Sequence, residues 1–571
     1  MNIFNLLKNQ INDVVYNLYS INLNQQQLSI ELPKNPEHGD LATNAAMLLA
    51  KPLNKSPMLI ASELQDALKN NQFITNIEIA SPGFINISLN KDVWHKILAE
   101  VIKEGINFGC NDIGQGEMIN VEFVSTNPTG PMHIGHCRGA IYGDALANLM
   151  SKCGYKVTKE FYINDAGSQI TTLAKSVYLR YQEACGKEIG EIPEGLYPGD
   201  YLIPVGQNLF KKYGPNLEDM EIIKEFSVDA MMDLIKKDLA LLKVVHDVFF
   251  SEKTLHDQGK IAEVVELLKK KNVVYQGVLP CPKGKVPEDW EEREQLLLRS
   301  TEFGDDVDRS LQKSNGDWTY AAADIAYMQN KIERNFKKIT MVLGADHQGY
   351  KKRMQAIASA LGENKIDFDI KFYQLVNFMQ NGKPFKMSKR SGTFVTVEDV
   401  LAEVDKNIVR FVMLTRRNDQ ILDFDFEEVK TQSKDNPVFY VQYAIARVNS
   451  IIKNAKELNN EFSIRMEQGN YDLTKLQTSE DLHLIKLLAS WSKIIEQACV
   501  HQEPHRIVFF LIDLASEFHS FWSKGNENPK LRFIMREDFE TSLARLMLAK
   551  SVSIVIKSGL EILNITPVEQ M

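Results

Sequence analysis

The sequence has 571 residues, of which 44% are apolar and 25% are charged, and this suits roughly three or four globular domains. No apolar stretch approaches the ~18 uninterrupted residues that a membrane span needs, so we expect no membrane partner. The net charge of −9 does not indicate a strongly basic nucleic-acid-binding protein, although local basic patches could still contact phosphates.

The first 90 residues predict a small α/β domain. Residues 3–19 have helical periodicity, and residues 44–50 are also typical of a helix. Residues 77–80 and 84–89 alternate in polarity like strands and are separated by a Ser-Pro-Gly turn. We interpret residues 91–117 as a linker.

A second domain is predicted from residue 118 to about residue 400. Residues 118–124 form a candidate buried strand, and the proline-containing loop that follows them cannot be helical. A helix is predicted from about His136 to Lys152, ending at Gly154. Because open α/β sheets bind ligands at the carboxyl ends of their strands, this strand–turn–helix order predicts a ligand site near residue 133.

The rest of this domain is more varied. Residues from about 186 to 290 are charged, helical and interrupted by glycine and proline, which indicates an insertion. The core is expected to resume at residues 295–300 and 318–326, with a further buried strand at 339–343. Residues 386–392 form a loop, and residues 396–399 (Thr-Val-Glu-Asp) are a capping box that opens a helix.

The C-terminal part is helical throughout. Residues 401–435 form a connecting helical segment, and residues 436–571 predict an all-α bundle. Its candidate helices cover residues 438–453, 482–499, 505–522 and 539–559.

Cysteine usage indicates the compartment. No Cys-x-x-Cys pair occurs, so we expect neither a structural zinc site nor a disulfide framework. This usage fits a reducing environment, and we predict a cytoplasmic location. The six cysteines are Cys110, Cys137, Cys153, Cys185, Cys281 and Cys499.

Two short signatures suggest chemistry on ATP. His133-Ile-Gly-His136 lies at the predicted start of a helix, where free N–H groups and the helix dipole favour phosphate. Gly135 leaves room for adenine or ribose to approach the backbone. Lys386-Met-Ser-Lys389 places two positive charges on a loop between glycines, which suits lysines that act on phosphates at the transition state. Together they predict a site that activates a carboxylate by adenylyl transfer.

At these signatures and in the sequence around them, the chain resembles the arginyl-tRNA synthetases, which are class I aminoacyl-tRNA synthetases. The resemblance extends from about residue 36 to the C-terminus. It is carried by the segments PEHGD (36–40), VEFVSTNPTGPMHIGHCRGA (121–140), FYINDAG (161–167), GADHQGY (344–350) and NFMQNGKPFKMSKRSG (377–392).

The resemblance implies an α/β fold with a Rossmann-type parallel-sheet catalytic domain, an N-terminal α/β module that touches the tRNA elbow, and an all-α anticodon-binding bundle. It implies ligation of L-arginine to tRNA(Arg), with consumption of ATP, with Mg²⁺ assisting, and with no metal held by protein side chains. The partners are then tRNA(Arg), L-arginine and ATP, with no DNA, and we expect a monomer. It also implies that tRNA must bind before arginine is activated.

The same resemblance assigns the site residues. The implied catalytic residues are His133, His136, Lys386 and Lys389. Of the two lysines, Lys389 is expected to have the larger role. The ATP contacts are His133, Gly135, His136, Met387, Ser388 and Lys389.

The arginine pocket is expected around Tyr320 and Asp324, which lie four apart and share a helix face. Asp324 can accept a two-pronged hydrogen bond from a guanidinium group. The alternative is that these residues only pack and cap. The other expected arginine contacts are Glu122, Ser125, Asn127, His347 and Gln348.

For tRNA, the aromatic and basic side chains in the bundle predict stacking contacts. The candidates are Tyr440, Tyr443, Arg447 and Trp522, with Asn44 and Lys51 as weaker candidates in the first domain. The alternative is that the aromatic residues belong to the bundle core.

Two other functions remain open from the sequence. One is another class I adenylyl- or nucleotidyltransferase, which would not need the bundle or the first domain. The other is a synthetase-like RNA-binding protein without catalysis, against which the intact histidines and lysines argue.

Overall fold

The computed structural model describes residues 2–24, 27–33, 35–279, 293–362, 366–384, 395–433 and 436–570. Lys386, Met387, Ser388 and Lys389 lie outside the described residues, as does Cys281. The chain forms two compact units. The first contains Met1–Asn111, Gln432–Gln502 and Arg506–Met571, and the second contains Asp112–Thr431 and Glu503–His505.

The N-terminal part of the first unit is a small α/β structure, as predicted. Its sheet has the order β1-β2-β4-β3 and is antiparallel throughout. The first helix buries Ile3, Leu7, Ile11 and Val15, which recur at helical spacing on one face. The elements are α1 (Ile3–Tyr19), β1 (Ile30–Glu31), β2 (Leu41–Thr43), α2 (Ala45–Leu53), α3 (Pro57–Leu68), β3 (Ile74–Ala80), β4 (Phe84–Leu89) and α4 (Lys91–Glu104).

The predicted linker, residues 91–117, is largely structured because it contains α4. Trp94 of this helix is 1% exposed, and His95 Nε2 lies 2.9 Å from the Leu476 carbonyl oxygen in the same unit. The loop at residues 36–40 is tied to the same unit by Asp40, which pairs with Lys486 and accepts the Leu89 N–H at 2.6 Å.

The second unit is built on a five-stranded parallel sheet of order β12-β11-β5-β6-β7, which confirms the predicted parallel-sheet fold. Its elements are β5 (Met118–Phe123), α5 (Ile134–Lys152), β6 (Lys156–Ile163), α6 (Ser168–Ala184), α7 (Leu202–Tyr213), α8 (Met220–Leu241), β7 (Val248–Ser251), α9 (Lys253–Asp257), α10 (Lys260–Lys270), β8 (Val274–Val278), β9 (Glu294–Leu298), β10 (Arg309–Ser310), α11 (Tyr320–Glu333), β11 (Lys338–Gly344), α12 (Tyr350–Gly362), β12 (Asp367–Tyr373), β13 (Val376–Gln380), β14 (Lys383–Pro384), α13 (Val397–Glu403), α14 (Lys406–Met413), β15 (Leu422–Asp425) and α15 (Phe426–Lys430).

The segment interpreted as an insertion contributes to this sheet. Val248–Ser251 forms β7, the strand at one edge, and pairs in parallel with β6. Residues 295–300, expected to rejoin the core, instead place β9 in a separate antiparallel sheet of order β10-β9-β8. A third small sheet has the order β14-β13-β15, and its strand β14 ends at Pro384, shortly before the lysine signature in the sequence. The domain limits drawn from the sequence stay predictions.

The central strand β5 shows why a sheet forms here. Ile119, Val121 and Phe123 are fully buried on one face, while Asn120 and Glu122 are buried on the other. Strands buried on both faces are typical of parallel sheets covered by helices. The polar pair on one face is unusual and belongs to the site described below.

The C-terminal part of the first unit is helical, as predicted. Residues 482–499, predicted as one helix, are two helices because the chain turns at Ser490, whose hydroxyl donates to the Leu487 carbonyl at 2.7 Å. Trp491 is fully buried and stacks on Phe510. The helices are α16 (Pro437–Leu458), α17 (Glu461–Gln468), α18 (Ser479–Ala489), α19 (Trp491–His501), α20 (His505–Glu527) and α21 (Phe539–Ile562).

Candidate active site

The turn after β5 is the first element of the site. Val124 and Ser125 have φ values of 70° and 40°, in the left-handed region that side chains other than glycine rarely adopt. Such strain persists only where the surroundings hold it, and it clusters at functional sites. Ser125 Oγ donates to Glu122 Oε1 at 3.2 Å and accepts the Tyr162 N–H at 3.0 Å, and these bonds hold the turn.

Helix α5 begins within the histidine signature, two residues earlier than predicted. The helix starts at Ile134, and His133 is its N-cap because His133 Nδ1 accepts the Gly135 N–H at 3.1 Å. A Cβ atom on Gly135 would lie 2.9 Å from two ring atoms of His133. The glycine therefore makes room for the capping imidazole, and its expected role of making room for a nucleotide stays a prediction.

The two histidines of this signature are stacked. Their ring centroids lie 3.7 Å apart, with an interplanar angle of 28°. Loss of water around the ring, and then the neighbouring His133, lower the pKa of His136 to about 3. His136 Nδ1 is buried and makes no hydrogen bond among the described residues. At neutral pH His136 is thus a neutral group that can donate or accept a hydrogen bond.

Residues 395–397, which follow the lysine signature, are hydrogen-bonded to residues at the histidine signature. The Ile134 N–H donates to the Val395 carbonyl at 2.9 Å, and the Val397 N–H donates to the Met132 carbonyl at 3.1 Å. His133 and Thr396 form an antiparallel bridge. The predicted capping box is confirmed, since Thr396 and Asp399 cap α13 reciprocally.

Asp238 of α8 supports the same turn from the other side. Its Oδ2 accepts the Met132 N–H at 2.8 Å, one residue before the N-cap His133. Burial, partly offset by this hydrogen bond, raises the pKa of Asp238 to about 6. The residue was not identified from the sequence, because no local pattern marks it.

Asp324 is a buried carboxylate that lies beside Tyr350 and Arg353. The Tyr350 hydroxyl donates to Asp324 Oδ1 at 2.5 Å, and Arg353 Nη1 lies 3.9 Å from Oδ2. Oδ2 is buried and accepts no hydrogen bond among the described residues. Burial raises the pKa of Asp324 to about 7, opposed by Tyr350 and Arg353. A buried carboxylate oxygen without a donor is costly unless a ligand supplies one.

The other predicted arginine contacts lie near the carboxyl ends of the strands of the parallel sheet. Tyr320, at the start of α11, is 58% exposed, and its hydroxyl lies beside Gly167. Asn127 is exposed and donates to Gln169 Oε1 at 2.8 Å. His347 and Gln348 are exposed after β11, and His347 lies 3.4 Å from Asp346.

Glu122 lies beneath this edge and is only 3% exposed. Lys331 Nζ is 2.6 Å from Glu122 Oε2, so the carboxylate already has a cationic partner. Its oxygens also contact Tyr327 and Ser125. Direct contact between Glu122 and a substrate ammonium group stays a prediction.

The bundle of the first unit holds the predicted RNA contacts together. The Arg447 guanidinium lies 4.6 Å from the Tyr443 ring centroid and 5.5 Å from that of Trp522. Arg447 Nη1 donates to His519 Nδ1 at 2.7 Å, and His519 Nε2 lies 3.1 Å from the Tyr440 carbonyl. Burial, and then Arg447, lower the pKa of His519 to about 4, so the ring is neutral and can accept this bond. Tyr443 is 44% exposed.

In the described part of the chain, no group of three or more His, Cys, Asp or Glu side chains could hold a metal ion. Within the same residues, no helix is both long and apolar enough to span a bilayer.

A parallel sheet with a histidine signature at the carboxyl end of β5 is the arrangement of a class I aminoacyl-tRNA synthetase. The sequence model described as "tRNA synthetases class I (R), catalytic domain" matches residues 98–452. "Arginyl tRNA synthetase N terminal domain" matches residues 5–89, and "DALR anticodon binding domain" matches residues 441–571. The chain belongs to the arginyl-tRNA synthetase family, which confirms the resemblance.

Individual relatives agree. The chain is 50% identical over 577 residues to the arginine–tRNA ligase of Rickettsia bellii, with 100% of both chains covered. The arginyl-tRNA synthetase of Thermus thermophilus superposes with a TM-score of 0.76 at 19% identity, covering 99% of this chain and 100% of that one. The arginyl-tRNA synthetase of Plasmodium falciparum gives 0.73 at 15%, covering 100% and 99%. These two likenesses show the fold.

Proposed function

We propose that the chain is an arginine–tRNA ligase. An oxygen of the arginine carboxylate attacks the α-phosphorus of ATP, and the bond to the β-phosphate oxygen breaks, giving arginyl-adenylate and pyrophosphate. A hydroxyl of the terminal ribose of tRNA(Arg) then attacks the arginyl carbonyl, and AMP leaves. Neither step needs a side-chain nucleophile, so the protein contributes positioning and charge stabilisation.

The observation that carries the choice of amino acid is the donor-free oxygen of Asp324. A guanidinium group offers planar paired N–H donors that match a carboxylate. Asp324 lies at the carboxyl edge of the sheet, where ligands of such folds bind. Bound arginine would supply the hydrogen bond that Oδ2 lacks in the described residues.

The remaining arginine contacts follow from their positions at this edge. Tyr320 is proposed to cover the guanidinium, and Ser125 and Asn127 to receive the ammonium and carboxylate groups, with Glu122 below them. His347 and Gln348, in the loop after β11, are proposed to complete the pocket.

For ATP, the N-terminus of α5 provides the anchor. His133, Gly135 and His136 are proposed to contact the nucleotide, with His136 acting as a neutral hydrogen-bonding group because its pKa is about 3. Lys386, Met387, Ser388 and Lys389 are proposed to contact the phosphates, and the two lysines to stabilise their negative charge. Mg²⁺ bound to the triphosphate would neutralise part of the same charge, and it needs no dedicated cage of side chains.

For tRNA, we propose that Tyr440, Tyr443, Arg447 and Trp522 form a stacking surface on the bundle. Arg447 is held between two aromatic rings, and guanidinium planes and aromatic faces both stack on unpaired bases. The cytoplasmic location and the monomeric state stay predictions of the sequence.

A charging assay with each of the twenty amino acids tests the proposal. Purified protein with ATP, Mg²⁺ and total tRNA should attach arginine alone and release AMP and pyrophosphate. Charging of another amino acid, or none, would refute it. Arginine-dependent pyrophosphate exchange should also require tRNA, and equal exchange without tRNA would refute that requirement.

A further inference from the structure

A buried network of charged groups lies directly under the proposed arginine site. It consists of Glu122 on β5, Glu160 on β6, and Tyr327 and Lys331 on α11, none more than 3% exposed. The two glutamates are neighbours across the parallel strands. We call these four residues the carboxylate network.

The two carboxylates of the carboxylate network are balanced by Lys331 within it and by Arg334 beside it. Lys331 Nζ lies 2.6 Å from Glu122 Oε2 and 3.9 Å from Glu160 Oε1, and it also donates to Asn120 Oδ1 at 2.7 Å. Arg334 Nη2 lies 2.7 Å from Glu160 Oε2. Two carboxylates therefore face two cations, which avoids the high cost of unpaired buried charge.

Tyr327 joins the two carboxylates. Its hydroxyl lies 2.5 Å from Glu160 Oε1 and 2.9 Å from Glu122 Oε2. A hydroxyl has one proton, so the Tyr327 hydroxyl donates to one carboxylate at a time. Both carboxylates stay within hydrogen-bond distance of its oxygen. The orientation of the Glu122 carboxylate thus depends on Tyr327 as well as on Lys331.

Glu122 in turn holds the strained turn. Ser125 Oγ donates to Glu122 Oε1, on the opposite side of the carboxylate from Tyr327 and Lys331. Ser125 keeps a φ of 40°, and such a conformation needs support from its surroundings. A continuous path of contacts therefore runs from Tyr327 through Glu122 to Ser125.

We infer that Tyr327 is a positioning residue for arginine: it fixes Glu122, and through Glu122 the Ser125 turn that receives the substrate. The inference rests on the proposed ligase function, since Ser125 is a proposed arginine contact. The ATP anchor has its own supports, the Asp238–Met132 and Ile134–Val395 hydrogen bonds. Loss of the Tyr327 hydroxyl should thus affect arginine and spare ATP.

The test is Tyr327→Phe, which removes the hydroxyl and keeps the ring. Arginine-dependent ATP–pyrophosphate exchange, with tRNA present, should show a KM for arginine raised about tenfold and a KM for ATP changed less than about twofold. The matched control is Tyr181→Phe. Tyr181 is 2% exposed, and its hydroxyl also makes two hydrogen bonds, to the Gly214 carbonyl at 2.7 Å and from the Leu217 N–H at 2.8 Å. This control should leave both KM values unchanged.

A double-mutant cycle with Ser125→Ala tests the path itself. If Tyr327 acts through Ser125, Tyr327→Phe should raise the KM for arginine far less in the Ser125→Ala protein than in the wild type. The same rise in both backgrounds, or an equal rise in the KM for ATP, would overturn the inference. Thermal unfolding of each variant separates this effect from general destabilisation.

Failure of the inference and failure of the proposed function give different results. Wild-type protein without arginine-dependent exchange would refute the ligase function and this role with it. An active wild type with an unchanged Tyr327→Phe variant would refute the positioning role alone.

Discussion

The backbone N–H of Ile134 donates to the backbone carbonyl of Val395 at 2.9 Å. Ile134 lies inside the first signature, and Val395 is the first described residue after the second. Two segments that are distant in the chain are therefore hydrogen-bonded neighbours. This contact places Val395, six positions after Lys389, beside the histidine signature.

Gly135→Ala should reduce activity with little change in stability. The new Cβ would lie 2.9 Å from the His133 ring and displace it from the N-cap. The lost cap costs about 0.5–2 kcal/mol, which offsets the roughly 0.5–1 kcal/mol by which alanine favours a helix over glycine. We expect arginine-dependent exchange to fall at least about tenfold and the melting temperature to change little. Full activity, or a clear loss of stability with it, would contradict this account of the capping imidazole.

Asp324→Asn should weaken arginine binding strongly. The substitution removes the charge that a guanidinium would pair with, a loss of about 3 kcal/mol or roughly a hundredfold in KM for arginine. The KM for ATP should stay within about twofold. Asp306→Asn is the matched control, because the Asp306 carboxylate forms a solvent-exposed pair with Lys352 at 2.7 Å. Similar KM values for the Asp324 variant and this control would remove Asp324 from the pocket.

The KM for arginine should rise as the pH falls below 7. Burial raises the pKa of Asp324 to about 7, with Glu252 and Glu122 acting in the same direction and Tyr350 and Arg353 against it. Below that pH the free protein holds a proton on Asp324 that arginine must displace, so the KM rises by up to about tenfold per pH unit. Steady-state kinetics from pH 5.5 to 8 would measure this, and a flat profile would contradict it. The raised pKa of Asp324 also affects the free energy of unfolding. The proton on Asp324 stabilises the fold, fully at a pH below the usual value of 3.8, and this stabilisation is lost as the pH rises through 7.

Arg447→Lys should weaken tRNA binding while keeping the charge. The guanidinium plane sits between Tyr443 and Trp522, and a lysine ammonium cannot reproduce that stacking, so the KM for tRNA should rise about tenfold. Arg465→Lys is the control, since Arg465 also lies over an aromatic ring, Phe539, but pairs with Glu540 at 2.6 Å. If Arg447→Lys lowers stability and leaves the KM for tRNA unchanged, the cluster is bundle core and not an RNA surface.

Local sequence signals predicted the elements that depend on neighbouring residues. The capping box at Thr396 and Asp399 and strands such as β4 follow from spacing within a few positions, and the structure has them where expected. The start of α5 was misplaced because a histidine N-cap is an uncommon signal. Val248–Ser251 was missed as a sheet strand because four residues carry too little periodicity.

The support of the site could not be predicted, because it is made by distant residues. Tyr327 and Glu122 are 205 positions apart, and Lys331 and Glu122 are 209 apart. A lysine in an amphipathic helix gives no sign that it will be 1% exposed beneath a sheet. Tyr350, which holds Asp324, did have a signal, since it closes the family segment at residues 344–350.

The proposed activation of arginine requires the two signatures to act as one ATP site. The most direct measurement compares wild-type protein with Lys389→Met in arginine-dependent ATP–pyrophosphate exchange, with tRNA affinity measured on the same preparations. Loss of a transition-state charge partner predicts exchange reduced about a hundredfold or more, with tRNA binding retained. Exchange at the wild-type rate would contradict the account.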